Sequence, residues 1–400
     1  MTRSRSVLAT AILLYFVMAL EVLVMVSPFA AFFYAVFNPV LLYLARWQST
    51  RWLAGFFLPH MVMPPGVFLK VLRVTGSVLF VGGALVFLVC AGQVYFHKLA
   101  RRGPALGGLY AWVRHPQYVA LTLTGLGLAI LWPRILTLLL WTVMMAIYYA
   151  LARDEERRML GAFGEQYRSY MARTGMFLPR RLEALLQRVP CPRAAWARPV
   201  IAFGLFLAFT LGGALALRAY TVSRLPLWSE GRVSVLPVLA ADAVMLQHRM
   251  SEVLEMPEVA SRLPQSGPVL GYFVPVEYVM QGMIADTDPA FRLYEHHRTM
   301  PMIADWIFHP FRHLEGAHGM AHHLTLAASP SAASQSVRRI IFIQLSGGDD
   351  GENTPSHLFA LGATRVPEFF VDVDVHTLTL LKVQELGPGT GWGRVPTPMF

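Results

Sequence analysis

Charge is scarce in this chain. Only 14% of its 400 residues are Asp, Glu, Lys or Arg, against about 25% in ordinary soluble domains. Residues of the set AVILMFWYC make up 55% and the mean hydropathy is +0.47. These values exclude a disordered or collagen-like chain and place much of it in lipid. Acid is scarcest in the first part: residues 1–220 hold 22 Lys+Arg against 6 Asp+Glu, and residues 221–400 hold 12 against 18. The basic excess thus lies among the apolar runs, where positive-inside bias puts it, so no nucleic-acid partner is expected. There are two cysteines, Cys90 in an apolar run and Cys191 in an Arg-rich loop. No disulfide framework can therefore support residues 221–400. Lysine is confined to Lys70, Lys98 and Lys382 while arginine abounds, a usage that GC-rich bacterial coding produces.

What is present is a series of apolar runs. Val7 to Val26 is long enough to span a bilayer. A cleaved leader competes for that run, but its length, its Glu21 and the apolar sequence after it favour a span. Residues 29–47 form a second span. Residues 52–68 are short and broken by Pro64 and Pro65, which suits an interfacial or re-entrant segment. Residues 74–96 form another span. Residues 116–132 and 135–153, parted by Trp132-Pro133-Arg134, read as an antiparallel hairpin, and 199–220 is the last span. Ten arginines lie between Arg153 and Arg198 against five acids, and the connector at 98–114 is also basic, which sets both on the cytoplasmic side. Residues 221–400 then lie outside the cytoplasm, in a protein of a bacterial inner membrane. They read as soluble, with a helix near 240–256 and β-like runs at Arg338–Gln344 and Phe369–Val375. The expected fold is an α-helical polytopic membrane protein of about five or six spans (residues 1–220). A C-terminal soluble domain, mixed α/β or mainly β, follows (residues 221–400).

The informative stretch runs from Gly107 to Pro179. It holds Gly108, Tyr110, Arg114-His115-Pro116-Gln117-Tyr118, the hairpin, Glu155-Glu156, and Phe163-Gly164-Glu165-Gln166-Tyr167-Arg168-Ser169-Tyr170. Pro116 suits the first turn of a helix, so Arg114 and His115 stand at a helix start that favours an anion. Spans of 17 and 19 residues climb roughly 25 Å and return roughly 28 Å. Glu155 and Glu156 are thereby brought near Arg114, His115 and Tyr118 at the cytoplasmic membrane surface. Cations facing a carboxylate pair suit a zwitterionic ligand with a carboxylate, an amine and ribose hydroxyls. Each residue taken singly has a plainer reading: anchoring arginines, a helix-start histidine, glutamates paired along their own helix, interfacial tyrosines.

In order and spacing the set resembles the integral-membrane methyltransferases, among them the isoprenylcysteine carboxyl methyltransferases and phospholipid methyltransferases. The resemblance covers roughly residues 70–182. It implies S-adenosylmethionine as methyl donor and a cofactor pocket at Arg114, His115, Tyr118, Glu155 and Glu156, with the core motif at 107–180. Ala120 stands where many members have glycine. The acceptor is left open among lipophilic compounds and small thiols, amines and carboxylates. Membrane sterol reductases that use NADPH share an Arg-His-Pro-x-Tyr region. Their pattern has Asn before the tyrosine and Gly-Glu after it, where this chain has Gln117, Ala120 and Leu121. A third possibility is a membrane-anchored sensor or metal-binding protein, since seven of thirteen histidines fall between His296 and His323. Pro310, Gly316 and Gly319 interrupt that segment and no compact metal motif is complete, so no metal site is assigned. Gly125 and Gly127, inside a span, are read as permitting close helix packing.

Overall fold

A computed structural model describes residues 43–44, 46–59, 67–100, 102–186, 197–278, 281–282, 284–287, 336–346 and 354–386. The expected spans at 7–26 and 29–47 lie outside the described residues almost entirely, and the histidine-rich segment does so completely. The chain divides into two compact units. The first takes the described residues of Lys70–Trp132 and Thr137–Leu211; the second takes those of Phe37–Leu69, Pro133–Leu136 and Gly212–Phe400.

In lipid the backbone must satisfy itself, and an uninterrupted apolar run does so as a helix. Helix α1 is Val67–Leu99, α2 is Pro116–Leu131, α3 is Ile135–Arg173, α4 is Arg180–Leu186 and α5 is Ala197–Val222. Among the described residues, three helices are long and apolar enough to cross a membrane, namely α1, α3 and Val200–Val222 of α5. The 16 residues of α2 rise about 24 Å, less than a bilayer core of about 30 Å. On α1 Val74, Val78, Val81, Leu85 and Leu88 are all more than half exposed, a valine-leucine surface of the kind that lipid solvates.

Two expectations change. The span placed at 74–96 begins at Val67. The second arm of the hairpin does not stop at residue 153: the helix continues to a non-helical break at Gly164 (φ 49°, ψ −121°), and a second helical segment runs on from there to Arg173. Hydropathy falls after Arg153, yet Glu, Arg, Met, Leu and Ala are good helix formers, so the helix outlasts its apolar part. Residues 51–54 form one 3₁₀ turn, and beyond it Phe56 bridges Arg134 in extended conformation.

Within the first unit, α1 and α2 meet through small residues. A Cβ on Gly127 would stand 2.4 Å from the Phe80 nitrogen, and one on Gly83 would stand 2.8 Å from the Ala120 carbonyl oxygen. Gly125 likewise lies against Trp141 and Met144 of α3, whose indole donates to the Thr122 carbonyl at 2.9 Å. The close packing read from Gly125 and Gly127 is present.

The second unit holds a six-stranded sheet in the order β1 to β6: Trp228–Glu230, Val233–Pro237, Val269–Pro275, Val337–Ser346, Thr364–Asp374 and Thr379–Glu385. All neighbours are antiparallel except β2 and β3. Helices α6 (Ala243–Leu254) and α7 (Pro257–Ala260) fill the β2–β3 connection, as parallel pairing demands a crossover. Leu246, Met250 and Val253 of α6, spaced four and three apart, pack with Val235, Phe273, Phe342 and Phe369. The opposite face buries a bidentate Arg339–Asp372 pair (2.6 and 2.7 Å) over the Phe370 ring. Pro367, which cannot donate to a ladder, sits where the β4–β5 register shifts.

Gly127→Ala should lower stability in detergent by up to about 2 kcal/mol. Overpacking against an immovable backbone costs about 1–3 kcal/mol and the gain in helix propensity returns about 1. Gly82→Ala, whose Cβ meets nothing within 4 Å, should be neutral or stabilising. Equal unfolding shifts for the two variants would contradict the packing.

Candidate functional site

The site is built where the connector before α2 is strapped to the end of α3. Gly108 (φ +61°) opens a 3₁₀ turn over Gly108–Ala111. The chain then pairs with the segment after α3: the Arg114 amide donates to the Gly175 carbonyl at 2.9 Å and the His115 amide to Met176 at 3.1 Å. Gly175 is required there, since a Cβ would stand 1.9 Å from the Leu178 carbonyl oxygen. Tyr170 donates to the Tyr110 carbonyl at 2.7 Å, and Glu183 of α4 accepts from the Met176 amide at 2.7 Å. Pro116 takes the first helical position of α2, and His115 is its N-cap with no capping side-chain bond. The imidazole is thus left to face α3.

All five residues singled out from the sequence come together. Arg114 Nε donates to Glu156 Oε1 at 2.5 Å, with both side chains buried. Its Nη1 reaches the carbonyls of Met171, at 3.2 Å, and Thr174, both beyond the Gly164 kink. The imidazole of His115 stands between the glutamates, Nδ1 3.3 Å from Glu155 Oε2 and Nε2 3.5 Å from Glu156 Oε1. Tyr118 donates its hydroxyl to Glu155 Oε1, and its ring stacks between His115 and Tyr148 at 5.6 and 4.8 Å.

The five do not play the same part. A cavity of about 670 Å³ opens beside them, lined by Arg114, His115 and Glu155, while Tyr118 and Glu156 lie outside its lining. Glu156 is buried behind the wall, whereas the Glu155 side chain is 32% exposed. Glu155 keeps acceptor capacity for a ligand beyond its Tyr118 and His115 contacts; Glu156 is spent on Arg114. The cavity size falls in the range of small-molecule sites, about 300–1,000 Å³.

Other residues in the wall went unread in the sequence. Tyr95 and His97 of α1 line the cavity, and His97 Nδ1 is buried without a hydrogen-bond partner. They sit in an apolar run and carry no motif. The usable signal was polar side chains following Ala91 and Val94 near the end of a span. Among the described residues no group of three His, Cys, Asp or Glu could hold a metal.

The His115 imidazole is held above its ordinary value of 6.5: burial acts to lower it, and the Glu155 and Glu156 carboxylates outweigh burial. The sign follows from linkage. Stability from these contacts is fully present below the unfolded value and is lost as pH rises through the raised folded value. The unfolding temperature in detergent should therefore fall as pH climbs from below 6.5 through that higher value. Glu155→Gln should flatten this dependence, and an unchanged slope in the variant would contradict the contact.

No curated protein and no solved structure gives a significant match to the chain. Residues 84–166, which run from the middle of α1 through the His-Pro corner and both glutamates to the Gly164 kink, match the model of the phospholipid methyltransferase family.

Proposed function

We propose that this site binds S-adenosylmethionine and that the protein is a membrane methyltransferase acting on a lipophilic acceptor or a small thiol, amine or carboxylate. The observation that carries the proposal is the partly exposed Glu155 carboxylate on the wall of a cavity built by the family-matched segment. The donor set suits the cofactor: a carboxylate for an ammonium or ribose hydroxyls, buried polar atoms with unspent hydrogen-bonding capacity, and aromatic rings for a flat base. When bound, the cofactor supplies an already activated methyl group on a sulfonium sulfur.

The residues of this chain then have separate tasks. Glu155 holds polar groups of the donor. Arg114 and Glu156 brace each other and fix the corner on which His115 and Glu155 stand. Tyr118, wedged between two rings, fixes the Glu155 carboxylate through its hydroxyl. Alignment of donor and acceptor in a water-poor pocket is the main contribution expected of the protein. A bacterial inner-membrane location, with residues 221–400 on the outer side, fits the basic segments at 98–114 and 153–198.

Glu155→Ala should weaken binding of S-adenosylhomocysteine by about 1.5–3 kcal/mol, the worth of a hydrogen bond to a charged group, with a further loss of about 1–3 kcal/mol of stability from the buried Tyr118 hydroxyl left without its acceptor. Glu156→Ala should instead cost about 3–5 kcal/mol of stability, because it strands a buried guanidinium. Calorimetry and unfolding of the two variants separate these roles. Membranes incubated with methyl-labelled donor and read by mass spectrometry identify the species that gains the methyl group. Absence of any donor binding by the unaltered protein would overturn the proposal.

A further inference from the structure

Gln117 follows the proline of the His-Pro corner, in the first turn of α2. Its side chain is 7% exposed. It lines the cavity, and its Oε1 is buried with no hydrogen-bond partner among the described residues. A buried carboxamide oxygen left unpaired is costly, and native structures almost always satisfy such groups. An acceptor of this kind on a ligand pocket calls for a donor carried by the ligand.

The chemistry of the neighbours narrows the choice. The cationic parts of the proposed cofactor have a counterpart in Glu155 and its carboxylate has cationic ones in Lys98 and Arg158, which also line the cavity, while the Arg114 guanidinium is occupied by Glu156 and by backbone carbonyls. What lacks a polar counterpart is the base. Adenine carries an exocyclic amino donor beside ring-nitrogen acceptors, and a carboxamide offers an acceptor and a donor in matching order. This complementarity makes Asn and Gln the usual readers of adenine. Tyr95, Tyr110, Phe163 and Tyr167 also line the cavity and offer aromatic surface on which a flat ring can lie.

We infer that Gln117 is a specificity residue that reads the adenine of the donor, its Oε1 accepting from the 6-amino group and its Nε2 donating to an adjacent ring nitrogen. This rests on the proposal that the site binds S-adenosylmethionine. It assigns to Gln117 the discrimination between adenine and other purines, while Glu155 supplies affinity for the rest of the molecule.

The test is equilibrium binding to the full chain in lipid nanodiscs. The two probes are S-adenosylhomocysteine and its analogue with hydrogen in place of the 6-amino group. The unaltered protein should prefer the adenine compound by about 10- to 100-fold, the range expected of a bidentate amide–adenine pair. Gln117→Met, similar in length but unable to accept from the amino group, should bind both probes with equal affinity. Gln117→Asn, one methylene shorter, is the second variant should the first not fold, and it should lose most of the preference. If the unaltered protein binds both probes equally, or if both variants keep its preference, the role of Gln117 is overturned while cofactor binding stands. If the unaltered protein binds neither probe, the cofactor proposal itself fails and the role of Gln117 with it.

Discussion

A guanidinium buried among apolar helices must be neutralised where it lies, and Arg114 is neutralised by Glu156 at 2.5 Å. The pair joins two chain segments 42 residues apart. Arg114 belongs to the connector before α2, and Glu156 lies deep within α3. Burial removes water as an alternative partner, so separating them would leave two charges uncompensated in a medium of low dielectric. The same guanidinium binds carbonyls of Met171 and Thr174 and so draws the end of α3 back onto the corner. His115, Tyr118 and Glu155 keep their mutual geometry because this brace holds.

The glycines make the brace possible. Gly127 and Gly83 let α1 and α2 approach backbone to backbone. Gly164, with its positive φ, breaks the line of α3. The segment beyond it can then turn so that Tyr170 reaches Tyr110 and Thr174 reaches Arg114. Gly175 admits the Leu178 carbonyl where any side chain would collide. Packing, a kink and a tight strap thus shape one cavity wall, on which the family-matched segment places Arg114, His115, Gln117 and Glu155.

Much of this was legible in the sequence. Pro116 announced the helix start, Trp132-Pro133-Arg134 the turn, and the rise of two apolar arms returned Glu155 and Glu156 to the corner. The division of labour between the glutamates was not legible. They are adjacent and identical, and only the rotation of α3 sends one to Arg114 and the other to the cavity. The true end of α3 was hidden because hydropathy marks where lipid stops, not where a helix stops. Arg134 read as a turn residue, yet it is fully buried over the Phe56 ring and donates to the Ala54 carbonyl, a partnership across 80 residues that no local pattern encodes. In the C-terminal part the runs at Arg338–Gln344 and Phe369–Val375 stood out as β-like. The buried Arg339–Asp372 pair depends on β4–β5 register, which periodicity alone does not fix.

The His-Pro corner and the twin glutamates form one braced unit. A double-mutant cycle on Arg114→Gln and Glu156→Gln, read as unfolding free energy in lipid nanodiscs, measures the coupling that holds it together. Contact between the two groups predicts strong non-additivity, with a coupling of about 1–3 kcal/mol. Additivity within about 0.5 kcal/mol, the behaviour of distant independent sites, would contradict it.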